Sequence, residues 1–371
     1  MSQAAYNSRI NCLLGQPSIM QLFPKVFISI VNWNKQDDTM ECLESVLKMD
    51  YRNYTVIVVD NASNDSSPCI IRAKYSDVIV IENEQNLGFT GGHNIGMRYA
   101  IEHGANYVWI LNNDATVEVD TLSALIDAAE KDSSIGLVSP QINYYQYPAK
   151  VQFRGSYFEW NTFEEVYPSE DSDEVDSKFQ SGIDVTLWGT ALLIKRSVIE
   201  KIGYLDERLF AYSEDLDYSI RALNANFRSV LFAGARIFHK NDLSWMNDRP
   251  PYYFYYISRN WYLLRSAYLH GWRRINMQRR YLARILDRIS FIVRYHNSHK
   301  EYLDAIINGA WHGVLHVGGR MSSSPKVPYI VEKMLVFLGS HPPFFWAHLI
   351  EGRAGLILEK MISKIKTSRT I

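Results

Sequence analysis

The stretch WILNNDATVEVD, Trp109–Asp120, decides how the rest of the chain is read. A run of large apolar residues stops at Asn112-Asn113-Asp114. Asn and Asp hydrogen-bond their own backbone, so the plain reading is a turn. The sharper reading is the tip of a buried strand, where a cation and a phosphate meet. The same pattern recurs upstream. VFISIVNWN (residues 26–34) is an apolar run closed by Asn32, Trp33 and Asn34, and YTVIVVDNASND (54–65) runs into Asp60 and Asn61. DVIVIENE (77–84) reads as a third strand, with Asn86 just beyond it. Between these runs, Met40, Leu43, Val46 and Leu47, and then Ile70, Ile71 and Ala73, fall at helical spacing. Strands alternating with helices predict an α/β protein: a Rossmann-like, mostly parallel sheet flanked by helices. Ligands bind such sheets outside the carboxyl ends of the strands, which is where the polar residues cluster.

The chain has 371 residues, a formal net charge of −1, 47% hydrophobic and 21% charged residues, and no internal repeat. Nothing in that balance points to nucleic acid. The three cysteines, Cys12, Cys42 and Cys69, lack C-x-x-C spacing, which suits a reducing, cytosolic setting. No stretch supplies the roughly 20 consecutive apolar residues of a spanning helix. Residues 1–24 read as a loosely held leader. Residues 159–176 hold eight acids and no base, which predicts a solvated loop or, as the weaker reading, a lid. FRSVLFAGARIFHK (227–240) reads as two short strands closing on His239. Residues 259–300 carry ten Lys/Arg against the single acid Asp287, at helical periodicity. That pattern fits either a membrane-surface element or helices packed on the main domain with a wet basic face. A last helix is expected from Pro342-Pro343 to Ile365.

Several residues stand out chemically. Asp114 and His239 each follow a strand, and an Asp oxygen with a His nitrogen suits Mg2+ or Mn2+ with positions left for phosphate oxygens. In NLGFTGGHNIG (86–96), glycines 88, 91 and 92 allow close backbone approach before a helix whose free N–H groups attract anions. Their spacing is not that of a dinucleotide fingerprint. Glu214, Asp215 and Asp217 open a helix, where acids suit the dipole. One of them facing the crevice would be placed to take a proton from an attacking hydroxyl. Trp188 offers either core packing or an indole face for a sugar ring.

VFISIVNWN, VVDNASND, NLGFTGGHNIG, WILNNDATV, GTALLIKRSVIEKIGYLDERLFAYSEDLDYSIRA and FHK…YYISRN, in this order over residues 25–265, resemble family-two glycosyltransferases of the GT-A fold. The likeness is strongest to rhamnosyltransferase-like members that build bacterial surface polysaccharides such as O-antigen. It implies a nucleotide-sugar-binding catalytic domain over 25–245 and a C-terminal helical region over 246–371. It also implies roles. Asn32, Trp33 and Asn34 would line the nucleotide pocket, and Asp60 with Asn61 would hold the base or ribose. Asn86, Gly92 and Asn94 would flank the nucleotide. Asn112-Asn113-Asp114 stands where the family has Asp-x-Asp, so Asp114 would carry most of the metal binding, completed by His239. Asp215 would be the catalytic base, Glu214 would orient the acceptor beside Trp188, and Arg259 would reach the diphosphate.

The expected activity is a single in-line displacement that inverts the anomeric centre. The donor is a nucleotide sugar, dTDP-rhamnose or a UDP-sugar. The acceptor is a glycan or lipid-linked saccharide, met in the cytoplasm or at the inner membrane face. The alternative is a binding or scaffold protein that kept the fold and lost catalysis, a reading favoured by the amide at position 112. A nucleotidyltransferase would want a glycine-rich basic loop near the N-terminus, and residues 1–35 offer only Lys25 and Lys35 as lysines.

Overall fold

Apolar runs with no polar alternation build strands buried on both faces, and the central strands here are of that kind. The computed structural model describes residues 23–167, 184–240, 249–295 and 299–341. The leader up to residue 22, the acidic segment from 168 and the expected helix from Pro342 lie outside the described residues. Val26–Asn32 (β1) pairs in parallel with Tyr54–Asp60 (β2) and with Tyr107–Asn112 (β4), and β2 pairs in parallel with Ile79–Glu82 (β3). The helices Gln36–Val46 (α1), Ser67–Lys74 (α2) and Gly88–Glu102 (α3) connect them. Register puts Asn32 opposite Asp60, and Asn112 opposite Val31, so the polar ends finish on one edge.

Beyond β4 the sheet becomes mixed. Ala115–Val117 (β5) is short, helix Thr121–Glu130 (α4) follows, and Ile135–Tyr144 (β6) and Val151–Phe153 (β7) form a hairpin. The sheet order is β3-β2-β1-β4-β11-β6-β12-β5, with β7 beside β6. In it, Ala191–Lys195 (β11) runs antiparallel to β4 and β6, and Arg228–His239 (β12) runs parallel to β6. The two short strands expected over 227–240 are one strand, kinked by a register shift between Phe232 and Arg236. Its last residue, His239, pairs with Ala115. That pairing lays His239 beside Asp114 across 125 positions of chain.

Ser156–Glu159 (β8), Glu164–Val166 (β9) and Val185–Thr186 (β10) make a second small sheet. The described part of the acidic stretch is therefore the end of β8, a turn over 160–163 and β9 rather than solvated loop throughout. Glu164 lies among Arg265 (2.7 Å), Arg284 (3.1 Å) and Arg280 (3.5 Å). The remaining elements are helices: Arg196–Ile202 (α5), Glu214–Asn224 (α6), Pro251–Tyr268 (α7), Gly271–Tyr295 (α8), His299–Val314 (α9) and Tyr329–Ser340 (α10).

The basic run 259–300 lies on α7 and α8 and ends at the start of α9, where Lys300 pairs with Asp304 (2.8 Å). At least six more of its ten cations have internal oxygen partners. Arg265, Arg280 and Arg284 meet Glu164, Arg273 meets the carbonyls of Trp160 and Asn161, Arg288 meets Ser258, and Arg259 meets backbone carbonyls. Much of the stripe is thus a packing surface against the small sheet. Among the described residues no helix is long and apolar enough to cross a membrane. Helix α9 crosses α7 at Gly309, where an added Cβ would lie 2.3 Å from the Tyr255 carbonyl oxygen. Gly309→Val is expected to lower stability by about 1–3 kcal/mol, the usual cost of overpacking. A chemical denaturation midpoint equal to wild type would show that the helices part freely.

Candidate active site

The carboxyl ends of β1, β2 and β4 are joined by one chain of hydrogen bonds. Asn113 Nδ2 donates to Thr39 Oγ1 (2.9 Å), which donates to Asn32 Oδ1 (2.7 Å). Asn32 Nδ2 donates to Asp60 Oδ2 (2.7 Å) and Ser67 Oγ (2.7 Å). Asp60 also accepts the Ser63 amide (2.8 Å) and hydroxyl (2.7 Å). Ser63 Oγ in turn accepts the Asn34 amide (2.9 Å), and Asn34 Oδ1 accepts the Asn64 amide (2.7 Å). Asn32, Asp60 and Asn61 are buried, while Trp33 is 46% exposed at the mouth. Asn61 Nδ2 reaches the Gly88 carbonyl (2.9 Å), and Asn86 Oδ1 accepts the Gly88 amide (2.8 Å), fixing the start of α3. A buried polar network with each member paired is rigid, which preorganises an edge for a polar ligand.

Two residues singled out beside Asn86 sit differently. The helix begins at Gly88, so Gly92 lies inside it, and a Cβ there would meet Val31 at 2.8 Å. Asn94 is buried and exchanges hydrogen bonds with Leu205, donating to its carbonyl and accepting its amide at 2.9 Å each. Both tie α3 to its surroundings.

Asp114 Oδ1 lies 3.1 Å from His239 Nε2 with no well-aligned donor, so proximity rather than a directed hydrogen bond joins the pair. The imidazole is oriented from its other side by Gln152, whose Oε1 lies 2.9 Å from Nδ1. With Nδ1–H donated there, Nε2 presents a lone pair, and Asn112 Nδ2 approaches it at 3.4 Å. Burial pushes the Asp114 carboxyl up, but the neighbouring His239 ring, with donors from the backbone and Asn112, outweighs that and holds it below the usual range. An orphaned carboxylate oxygen and an imidazole lone pair, converging at one point, fit a divalent ion. Among the described residues no group of three or more His, Cys, Asp or Glu side chains gathers, so the protein would supply two ligands and the substrate the rest.

The acidic cluster is set by an unusual turn. Phe210, Tyr212 and Ser213 all have positive φ, at 64°, 68° and 68°, each costing about 1–2 kcal/mol for a residue with a side chain. Strain of this kind gathers at functional sites. The turn delivers Glu214 and Asp215 at the head of α6. Asp215 Oδ2 accepts the Gly189 amide (3.1 Å) and Oδ1 accepts the Leu216 amide (2.8 Å). Burial, and next the charge of Glu165, pushes Asp215 up to about 6, against the opposing backbone donors. Glu214 is 6% exposed, its Oε2 has no partner, and burial followed by the Asp215 charge holds it well above the usual range. Trp188 lies flat on Phe153, centroids 4.2 Å apart, with Tyr167 edge-on to it.

One short segment links the two halves of the site. The Gly189 amide binds Asp215, and the next residue's carbonyl, Thr190 O, accepts the Asn112 amide at 2.9 Å. Two residues span at most about 7 Å, so Asp215 Oδ2 and the Asn112 nitrogen are no more than roughly 13 Å apart. The tip of β4, which leads into Asp114, and the head of α6, which carries Asp215, are thus held close together. Arg259 does not join them. It is fully buried, and its guanidinium meets the carbonyls of Arg208, Leu209 and Gly319. Four further residues complete the site without having been singled out. Thr39 and Ser63 relay the strand-end network, Gln152 aims His239, and Glu165 is held by Ser156, Thr186 and Tyr167 beside Asp215. Of these only Ser63, three residues after Asp60 in a turn-forming stretch, carried a sequence signal.

In an α/β sheet, donors and carboxylates gathered at the carboxyl ends of the strands mark a ligand-binding edge. Residues 27–203 match the model of glycosyl transferase family 2. A hexosyltransferase of low-salt glycan biosynthesis from Haloferax volcanii, Agl10, is 24% identical over 79% of this chain and 92% of its own length. An N-acetylglucosaminyl-diphospho-decaprenol L-rhamnosyltransferase from Mycobacterium tuberculosis is 26% identical over 51% of this chain and 67% of its own. Among solved structures, GalNAc-T7 with UDP, GalNAc and Mn2+ superposes with a TM-score of 0.51 at 16% identity, covering 88% of this chain and 57% of that one. TarS of S. aureus gives 0.50 at 16% identity, covering 85% and 53%. Residues 27–203 are thus similar to glycosyl transferase family 2, and the fold is the GT-A fold of these solved structures.

Proposed function

We propose that the chain is an inverting glycosyltransferase of glycan or surface-polysaccharide synthesis, taking rhamnose from dTDP-rhamnose to a glycan or lipid-linked acceptor. In this reading residues 25–245 are the catalytic domain and 246–371 a helical region. The observation that carries it is the Gly189–Thr190 bridge, which sets a carboxyl tuned to about 6 across one crevice from the Asp114–His239 pair. Asp215 takes the proton of an acceptor hydroxyl as its oxygen bonds to the anomeric carbon. The bond from that carbon to the diphosphate oxygen breaks, and the nucleoside diphosphate leaves with the electron pair. One displacement inverts the centre. Asp114 and His239 would hold a Mg2+ or Mn2+, which when bound would neutralise charge at the diphosphate. Glu214, with its unpartnered oxygen, and Trp188 orient the acceptor, and the buried strand-end network, from Asn32 to Asp60, seats the nucleotide.

The names of the Haloferax and Mycobacterium relatives support a hexose donor and a lipid-linked acceptor. The test is a donor panel of dTDP-rhamnose, UDP-hexoses and a UDP-furanose with Mn2+, read by nucleoside diphosphate release and by the anomer formed. We expect dTDP release and an inverted product. Turnover of another donor alone removes rhamnose, a retained anomer removes the single displacement, and binding without turnover favours the scaffold reading. A lipid-linked acceptor would be met at the inner membrane face. Pelleting with anionic liposomes at low salt is the check, and absence of binding removes that location.

A further inference from the structure

The adjacent pair Arg259-Asn260, near the middle of α7, is fully buried. It faces neither the strand ends nor the acidic head of α6, yet its hydrogen bonds converge on the turn between them. Asn260 Nδ2 lies within reach of three carbonyls of that turn: Leu209 (3.0 Å), Ala211 (2.8 Å) and Tyr212 (2.7 Å). Arg259 Nη2 donates to Arg208 O (2.9 Å) and Leu209 O (2.8 Å), Nη1 reaches Gly319 O, and Nε donates to Asn260 Oδ1 (2.9 Å). The side-chain amide is thus itself held by the guanidinium. The carbonyls gathered here belong to residues on both sides of Phe210, the first of the three positive-φ positions.

The remaining carbonyl of the turn points the other way. Phe210 O accepts the Thr90 amide (3.1 Å), on the first turn of α3. Gly88 approaches so closely that a Cβ there would lie 2.4 Å from that oxygen. The turn is therefore clamped between the strand-end side of the crevice and helix α7. It has no side-chain cap of its own: Ser213 at the head of α6 makes no capping hydrogen bond. The loop after α9 closes the clamp, with the Gly319 amide donating to Arg208 O (2.7 Å) and the Met321 amide donating to Tyr256 Oη (2.8 Å).

We propose that Arg259 and Asn260 are positioning residues for transfer: they hold turn 208–213 in the one shape that aims Glu214 and Asp215 into the crevice, and touch neither substrate. A strained turn relaxes unless its surroundings fix it, and the pair adds side-chain donors to Ala211 O and Tyr212 O and second donors to Arg208 O and Leu209 O, which also accept the Gly319 and Ala211 amides. The helical region thereby becomes part of the catalytic unit. The guanidinium reaches separate segments through three different nitrogens, a span that the single nitrogen of a lysine does not reproduce, and an alanine in place of Asn260 has no side-chain donor.

The inference rests on Asp215 being the base, and the experiment separates the two. Asn260→Ala, Arg259→Lys and Asp215→Asn are compared in the full chain by steady-state kinetics with the donor the panel selects, and by backbone hydrogen exchange without substrate. Misplacing a catalytic group by about 1 Å costs up to about 10²-fold. We expect Asn260→Ala and Arg259→Lys to lower kcat by about 10–10²-fold with donor KM within threefold. Exchange should quicken at the amides of 209–217 while those of β1 and β4 stay protected. Unchanged kcat, or faster exchange spread evenly over the sheet, overturns the proposal. Should Asp215→Asn keep its transfer rate, the base assignment falls, and the exchange pattern still decides whether the pair shapes the turn.

Discussion

Asp215→Asn lowers kcat by at least ~10²-fold, the scale of positioned acid–base catalysis, and leaves binding of the nucleoside diphosphate within about twofold. The substitution is isosteric, and the amide oxygen can still accept one of the two backbone donors that meet the carboxylate, at Gly189 or at Leu216. What is lost is the capacity to take a proton. Two carboxyl groups stand side by side here, and their surroundings divide the labour. Glu214 is the more deeply buried and is held well above the usual range, which favours its protonated form. Asp215, pushed up only to about 6, is mostly ionised at neutral pH and basic enough to accept a proton. A base matched to the working pH is what efficient proton transfer asks for. The pH profile follows. Below about 6 the group protonates, so kcat should fall roughly tenfold per pH unit there. Glu165 contributes to the upward shift through its negative charge. Glu165→Gln removes that charge, makes the ionised form of Asp215 less costly, and should move the acid limb to lower pH. An Asp215→Asn enzyme within tenfold of wild type, or an acid limb that stays put in Glu165→Gln, would assign the proton to another group.

How much of this could be read before the structure depends on the range of the contacts. The sheet was readable because buried parallel strands demand apolar runs, and β1, β2 and β4 have them almost unbroken. The site's edge was readable because each run stops on Asn or Asp. Asp114 and His239 stood out one at a time, but only the pairing of Ala115 with His239 brings them together. Where sequence reasoning went astray, the residue type was right and the partner was hidden. Asn94 and Gly92 look like loop residues beside a nucleotide, yet an amide also makes a good tie to Leu205, and a glycine also lets a helix close on Val31. Arg259 looks like a phosphate ligand because guanidinium suits phosphate, but it suits a cluster of carbonyls as well. Acidic residues 159–166 and the basic run on α7 and α8 each read as solvent-facing when taken alone. Together they neutralise one another through Glu164, a match a hundred residues apart that no local pattern carries.

Asp114→Ala should abolish the response to divalent metal and, at saturating metal, lower kcat/KM by about 10²–10³-fold, equivalent to the several kcal/mol of charge stabilisation a bound ion supplies. Position 112 makes the prediction sharp. With an amide there, the protein offers one acid rather than two at the tip of β4, and in the proposed site the His239 nitrogen 3.1 Å away would be its companion ligand among the described residues. A site of two protein ligands has no redundancy. Removing Asp114 leaves a single imidazole to anchor a diphosphate-bound ion to the protein, the rest of its shell being phosphate oxygens and water. The fold should tolerate the change, because the backbone role of residue 114, accepting the Lys240 amide at 3.0 Å, does not need the side chain. His239→Gln should cost a similar amount. The double variant should cost little more than either alone, since both act through one bound ion. Calorimetry of nucleoside diphosphate binding, with and without Mn2+, reads the same point without turnover. Wild type should bind more tightly in the presence of the ion, and Asp114→Ala should bind equally in both. If the variant keeps a metal-dependent gain in affinity, the ion sits elsewhere and the pairing of residues 114 and 239 serves only to pin β5 against β12.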